Sequence, residues 1–155
     1  AIERHLNAIH SVTGRLDIGE ETLSSGGMWL TSGDLELCDD GSRGAMMVGI
    51  VFPSITVPPF VTILSARVLF LVEKLREPLS NTSVTIDIHG ERVANAAAPT
   101  MADYDLSGRA PTRARVAWSP AASVAVGEEF RTADISSIVR QRKRVDLDGH
   151  VASAT

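Results

Sequence analysis

Four segments of the chain read as strands from side chains that recur with a period of two. Met46, Val48, Ile50 and Phe52 line one face of a segment whose other face, Met47, Gly49 and Val51, is apolar as well, which predicts a strand covered on both sides. Leu64, Ala66, Val68, Phe70 and Val72 form a second stripe, opposite Ser65, Arg67, Leu69, Leu71 and Glu73. Val84, Ile86 and Ile88 point one way while Ser83, Thr85, Asp87 and His89 point the other, the pattern of a half-buried strand. Ala114, Val116 and Trp118 make a further inward set, opposite Arg113, Arg115 and Ala117.

Breakers separate these runs: Gly41-Ser42-Arg43-Gly44, Pro58-Pro59, Pro78, Pro99, the stretch from Gly108 to Pro111, and Ser119-Pro120. Short strands between turns at this spacing, without long helices, predict an antiparallel sandwich or barrel. One short helix is predicted near 134–140, with Asp134 as its cap and Ile135, Ile138 and Val139 on one face. Residues 1–15 read as an N-terminal appendage, because Ile2, Leu6 and Ile9 repeat at helical spacing before Gly14. Residues 16–155 read as a single β-sandwich domain, with no internal repeat and no linker.

Composition narrows the class. At 155 residues, 44% hydrophobic and only 5% aromatic, the chain can bury one core, and that core is aliphatic. A net charge of −4 argues against a nucleic-acid binder acting through bulk positive charge. The single cysteine, Cys38, permits no intrachain disulfide, and reads either as a buried strand residue or as a reactive or bridging thiol. No basic-then-apolar leader opens the sequence, and no apolar run reaches the roughly 18–20 residues of a membrane helix. Asn81-Thr82-Ser83 is a glycosylation acceptor triplet placed at a turn.

The stretch Trp29-Leu30-Thr31-Ser32-Gly33-Asp34-Leu35-Glu36-Leu37, followed by Asp39-Asp40-Gly41 and Val48-Gly49-Ile50-Val51-Phe52, resembles a known kind of module. The likeness continues at Ile63-Leu64-Ser65-Ala66 and Ile86-Asp87-Ile88-His89-Gly90-Glu91. It is strongest at Val116-Ala117-Trp118-Ser119-Pro120, Val126-Gly127-Glu128 and Asp134-Ile135-Ser136-Ser137-Ile138-Val139. These segments, over about residues 16–140, are similar to extracellular jelly-roll-like β-sandwich modules of large bacterial and algal surface and secreted multidomain proteins. The resemblance implies an all-β, antiparallel, jelly-roll-like sandwich, an extracellular or cell-surface location, and a non-catalytic role beside adhesive, matrix or carbohydrate-active domains. The C-terminus departs from the pattern: Ile138-Val139 leads almost at once into the basic run Arg140 to Arg144, with no apolar strand between. A sandwich short of one strand has an open edge, which implies completion by the N-terminal segment or by a neighbouring copy in a homo-oligomer or filament.

Candidate chemistry is sparse. Asp34, Glu36, Asp39 and Asp40 gather four carboxylates, with Asp34 and Glu36 on one face of an expected strand. Such hard oxygen ligands suit a structural Ca²⁺ ion, and equally an acidic, solvated strand end. A polysaccharide or glycoprotein glycan needs aromatic platforms; Tyr104, in a polar loop with Asp103 and Asp105, is the best exposed one, Trp29 is undecided, and Trp118 belongs to the inward set. Arg142 and Arg144, within the basic run, are candidates for an acidic polysaccharide, or form a solvated helix end. Asp87 and His89 share a strand face and could imitate two members of a hydrolase triad, but no Gly-x-Ser-x-Gly elbow is present. The expectation is a non-enzymatic adhesion or matrix module, most plausibly carbohydrate-binding, with the structural oligomer subunit as its rival.

Overall fold

The computed structural model describes residues 17–32, 35–37, 39–53, 55, 57, 61–73, 84–120 and 125–141. Seven strands lie within them: β1 (Ile18–Thr22), β2 (Met28–Trp29), β3 (Met46–Ile50), β4 (Leu69–Leu71), β5 (Ile86–Glu91), β6 (Pro111–Trp118) and β7 (Glu129–Arg131). A short helix, α1, spans 136–141. All pairings are antiparallel, and they form three small sheets ordered β2-β1-β3, β4-β7 and β5-β6. Among the described residues the fold is therefore antiparallel β with one short helix. Among the described residues the three sheets stay separate rather than closing into one layer pair.

The alternation along the chain is visible in the burial. In β4 and its flanks, Ala66, Val68, Phe70 and Val72 are at least half-buried, while Ser65, Arg67, Leu69, Leu71 and Glu73 are exposed. Leu64, expected inward, is 66% exposed, because the stripe loses its cover before the β4–β7 ladder begins. In β6, Thr112, Ala114, Val116 and Trp118 are turned inward and Arg113, Arg115 and Ala117 outward. Ile86 opposes Trp118 and Ile88 opposes Val116, so the two apolar stripes of β5 and β6 share one face. Trp118 then stacks on Phe70 and Phe130, with ring centroids 6.0 Å and 5.7 Å away, while Phe70 and Phe130 lie 5.3 Å apart. Three rings thus join the β4–β7 sheet to β5–β6, each pair at a separation favourable for stacking.

The β4–β7 ladder runs past its strand ends into α1. The Thr132 N–H donates to the Val68 carbonyl at 3.0 Å, and its hydroxyl accepts the Val68 N–H at 3.1 Å. Asp134 Oδ1 accepts the N–H of Ala66 at 3.0 Å and of Ser136 at 2.9 Å, so the expected cap also anchors the helix to the β4 segment. These two backbone donors hold the Asp134 carboxyl below its ordinary value. Ile138 is 4% exposed and seats the apolar face of α1 as the spacing predicts.

The first sheet is built differently. Register places Ile18, Glu20 and Thr22 on one face with Trp29, Met46, Val48 and Ile50, and Gly19 and Glu21 on the other with Met28, Met47 and Gly49. Both faces are covered, as the two-sided apolar pattern of β3 predicts. Gly19 and Gly49 oppose each other directly and leave a flat floor. A Cβ at Gly19 would lie 2.7 Å from Pro99 Cβ, and one at Gly49 would lie 2.5 Å from Leu106 Cδ2. The 96–109 segment packs into that space. The consecutive Glu20 and Glu21, on opposite faces, are both 0% exposed.

Candidate functional site

At the β1–β2 hairpin turn the rings of Tyr104 and Trp29 lie against two consecutive residues. Gly26, at φ +75°, receives hydrogen-bond closure from its N–H to the Thr22 carbonyl, and its own carbonyl accepts the Tyr104 N–H at 2.9 Å. The Tyr104 ring lies on Gly26 so closely that a Cβ there would sit 2.5–2.6 Å from three ring carbons. On the next residue, a Cβ at Gly27 would meet the Trp29 ring at 3.2 Å. Two adjacent glycines therefore bring Tyr104 and Trp29, 75 residues apart in sequence, to one corner. Both rings stay open to solvent, Tyr104 at 50% and Trp29 at 37% exposure, whereas Trp118 is buried at 7%.

Tyr104 has φ +60°, a left-handed conformation that costs a non-glycine residue about 1–3 kcal/mol. Its loop is braced against that strain. The Gly108 N–H donates to the Tyr104 carbonyl at 2.9 Å, and Arg109 binds Glu91, Asp105 and the carbonyls of Ala97, Ala98 and Asp105. From the opposite side, Glu21 Oε2 accepts the N–H groups of Leu106 and Ser107 at 2.8 and 2.9 Å. Burial works against ionisation of Asp105, but the Thr100 N–H and the Arg109 guanidinium outweigh it and hold this carboxyl below its ordinary value.

An acidic cluster backs the Trp29 side of the corner. The Arg43 guanidinium lies over the Trp29 ring, 4.4 Å from its centroid, and pairs with Glu36 at 3.0 Å and closely with Asp40. Glu20 enters from β1: its Oε1 accepts the Glu36 N–H at 2.7 Å, and its buried Oε2 has no hydrogen-bond partner among the described residues. Burial raises the Glu36 carboxyl above its ordinary value, helped by a hydrogen bond with Asp40 and by the charges of Glu20 and Asp40, against the opposing pull of Arg43. Arg43 stands on a turn whose glycines, Gly41 and Gly44, take φ +69° and +78°.

Of the expected calcium ligands, Glu36 and Asp40 come together, Asp39 sits exposed at a bridge to Ala45, and Asp34 lies outside the described residues. Residues 35–37 form no strand, the Glu36 N–H donates to Glu20 Oε1, and the face expected to be shared with Asp34 lies outside the described residues. Asp40 is 5% exposed, which makes this a buried ion-pair cluster rather than a solvated strand end. Among the described residues, no group of three His, Cys, Asp or Glu side chains is arranged to hold a metal ion. Arg142, Arg144, Cys38, the Asn81 triplet and the N-terminal appendage also lie outside the described residues.

Asp87 and His89 do share the outer face of β5, but Asp87 pairs with Arg115 at 2.6 Å, and the buried His89 Nδ1 has no hydrogen-bond partner among the described residues. Burial and the neighbouring Arg115 lower the His89 pKa, against Asp87. Sequence reasoning missed Glu20, Glu21, Arg43 and Arg109. The sequence pattern assigned these four no role; the fold buries the two glutamates fully and the two arginines partly. Among the described residues no helix is long and apolar enough to cross a membrane. In comparisons with known proteins, no family model, no curated protein and no solved structure matches this chain.

Proposed function

We propose that this chain is a non-catalytic, extracellular or cell-surface module for adhesion or matrix contact, and that it binds carbohydrate at the Tyr104–Trp29 corner. The observation that carries this reading is the pair of exposed rings set on adjacent residues of one turn. Sugar rings present apolar C–H faces that stack on aromatic faces, with polar groups at the rim fixing orientation. Polar groups beside the rings are the Arg43 guanidinium over Trp29 and, next to Gly26 and Tyr104 in sequence, the exposed Ser25 and Asp103. The backbone strain at Tyr104, held by the Glu21 and Arg109 braces, fits a residue kept in place for contact rather than for packing.

The fold reading behind this proposal is a jelly-roll-like sandwich, supported by the all-antiparallel pairing and by the three-ring stack that ties β4–β7 to β5–β6. Calcium belongs to the proposal only as a competitor of Arg43 for Glu36 and Asp40, with Asp34 and Asp39 close by in sequence. A glycan array and affinity gels with neutral and acidic polysaccharides, run with and without Ca²⁺, test the reading. Retention on at least one polysaccharide that is lost in Tyr104→Ala and Trp29→Ala, at unchanged secondary structure, supports it. No retention on any of them defeats it, and a melting temperature indifferent to chelation removes the calcium.

A further inference from the structure

We propose that two copies of this chain associate face to face through the outer surface of the β4–β7 sheet, about a two-fold axis that crosses above the Phe70–Phe130 pair. Phe70 opposes Phe130 at the middle of this sheet, and both point inward onto Trp118. The outer surface then consists of the alternate residues. Along the β4 segment these are Arg67, Leu69, Leu71 and Glu73, all exposed, with Leu69 at 52% and Leu71 at 63%. Along β7 they are Arg131, opposite Leu69, and Glu129, opposite Leu71, also exposed.

The order of these side chains is what selects a second copy as the occupant. A two-fold axis lying in the interface and perpendicular to the strands exchanges the two ends of each strand. It places Leu69 over the other copy's Leu71 and Leu71 over the other copy's Leu69. The same operation brings Arg131 onto the second copy's Glu129, and Glu129 onto its Arg131. At the far ends Arg67 meets Glu73 of the second copy, and the reverse. Every position on the face thus finds apolar against apolar or plus against minus, which is the self-complementarity an isologous contact requires. An axis parallel to the strands would instead set leucine on arginine and glutamate. The natural twist of each sheet allows such face packing at an angle of about 30°.

Nothing within the described chain uses these charges strongly. Neither Arg131 nor Glu129 forms an ion pair among the described residues, and Arg67 gives one N–H to the Thr132 carbonyl at 2.9 Å. Val126, 61% exposed in the turn that bonds to Val72, extends the apolar strip at one end. The face consists of the six outward side chains named above, few against the roughly 20–30 residues a side of a standard interface. The contact is therefore reversible, with a dissociation constant on the order of 10–1000 μM.

Sedimentation equilibrium of the full chain, from a few μM to about 1 mM, reads the outcome. A monomer–dimer equilibrium is expected. Glu129→Arg places like charges across the axis and abolishes the dimer, as does Arg131→Glu. The double exchange Glu129→Arg with Arg131→Glu restores it, and an equimolar mixture of the two single variants forms a mixed dimer. Both substituted positions, Glu129 and Arg131, are solvent-facing charges, so the fold is retained, and circular dichroism checks that it is. A chain monomeric throughout the concentration range overturns the proposal. So does a dimer that persists in both single variants, which would place the contact elsewhere, for example at a strand edge.

Discussion

Replacing Arg109 by alanine removes the guanidinium that closes the 96–109 loop over β1. Its Nη1 donates to Glu91 Oε2 at 3.0 Å and to the Ala97 carbonyl at 2.7 Å. Its Nη2 donates to Asp105 Oδ2 at 2.8 Å and the Ala98 carbonyl at 3.2 Å, and its Nε to the Asp105 carbonyl at 3.2 Å. The side chains of Arg109, Glu91 and Asp105 are 16%, 21% and 19% exposed, so this is neither a dry ion pair nor a surface one. Truncating one partner of a fully buried pair costs about 3–5 kcal/mol, whereas an exposed pair is worth under about 1 kcal/mol. The intermediate burial places Arg109→Ala at about 2–3 kcal/mol. In a domain of this size 1 kcal/mol moves the melting temperature by about 2–4 °C, so a fall of roughly 5–10 °C is expected in calorimetry. Arg109→Lys keeps the charge but loses the planar fork and falls between the two. The acid limb provides a second reading. Asp105 is held below its ordinary value in the folded chain, so it contributes stability above that value which is lost as the pH falls through the lowered one. Without Arg109 that contribution shrinks and the acid limb flattens. A melting temperature within about 1 °C of the parent in Arg109→Ala would refute the brace.

Three further predictions concern the same architecture. Glu21→Ala strips the acceptor from the Leu106 and Ser107 N–H groups in a fully buried site, and denaturant unfolding should register a loss of about 3–4 kcal/mol. Glu21→Gln, which keeps one acceptor oxygen, costs less; equal losses in the two variants would reject the hydrogen-bond explanation. Gly19→Ala sets a methyl 2.7 Å from the rigid Pro99 ring, while Gly49→Ala meets the rotatable end of Leu106 at 2.5 Å. The first should cost about 2–3 kcal/mol and the second about 1–2, and the reverse order would show that Leu106 is the less yielding neighbour. Because His89 titrates below its ordinary 6.5 in the fold, its stabilising contribution is complete above 6.5 and is lost as the pH falls through the lowered value. His89→Gln should flatten the stability profile in that window, and a proton NMR titration with an apparent pKa above 6.5 would contradict the burial of the ring.

Where one face of a strand meets solvent and the other meets protein, alternation alone was decisive. The inward stripes of β4 and β6, the turn at 41–44 and the Asp134 cap could all be read from the residues, because each depends on side chains close together in sequence. β1 could not. Its run Ile18-Gly19-Glu20-Glu21-Thr22 has no apolar period, since the fold buries it on both faces through glycines and carboxylates whose partners lie 16 to 86 residues away. The aromatic corner is of the same kind. Composition and loop context marked Tyr104 and left Trp29 open, but nothing local linked the two. They meet because Gly26 and Gly27 have no side chain to keep the rings away, and because Glu21 and Arg109 hold the distant loop against the hairpin. The sequence by itself determined which stretches alternate and where they turn, since those are nearest-neighbour properties. Only the tertiary structure decided which charges are buried and which rings share a corner, because long-range packing sets the free energy of both.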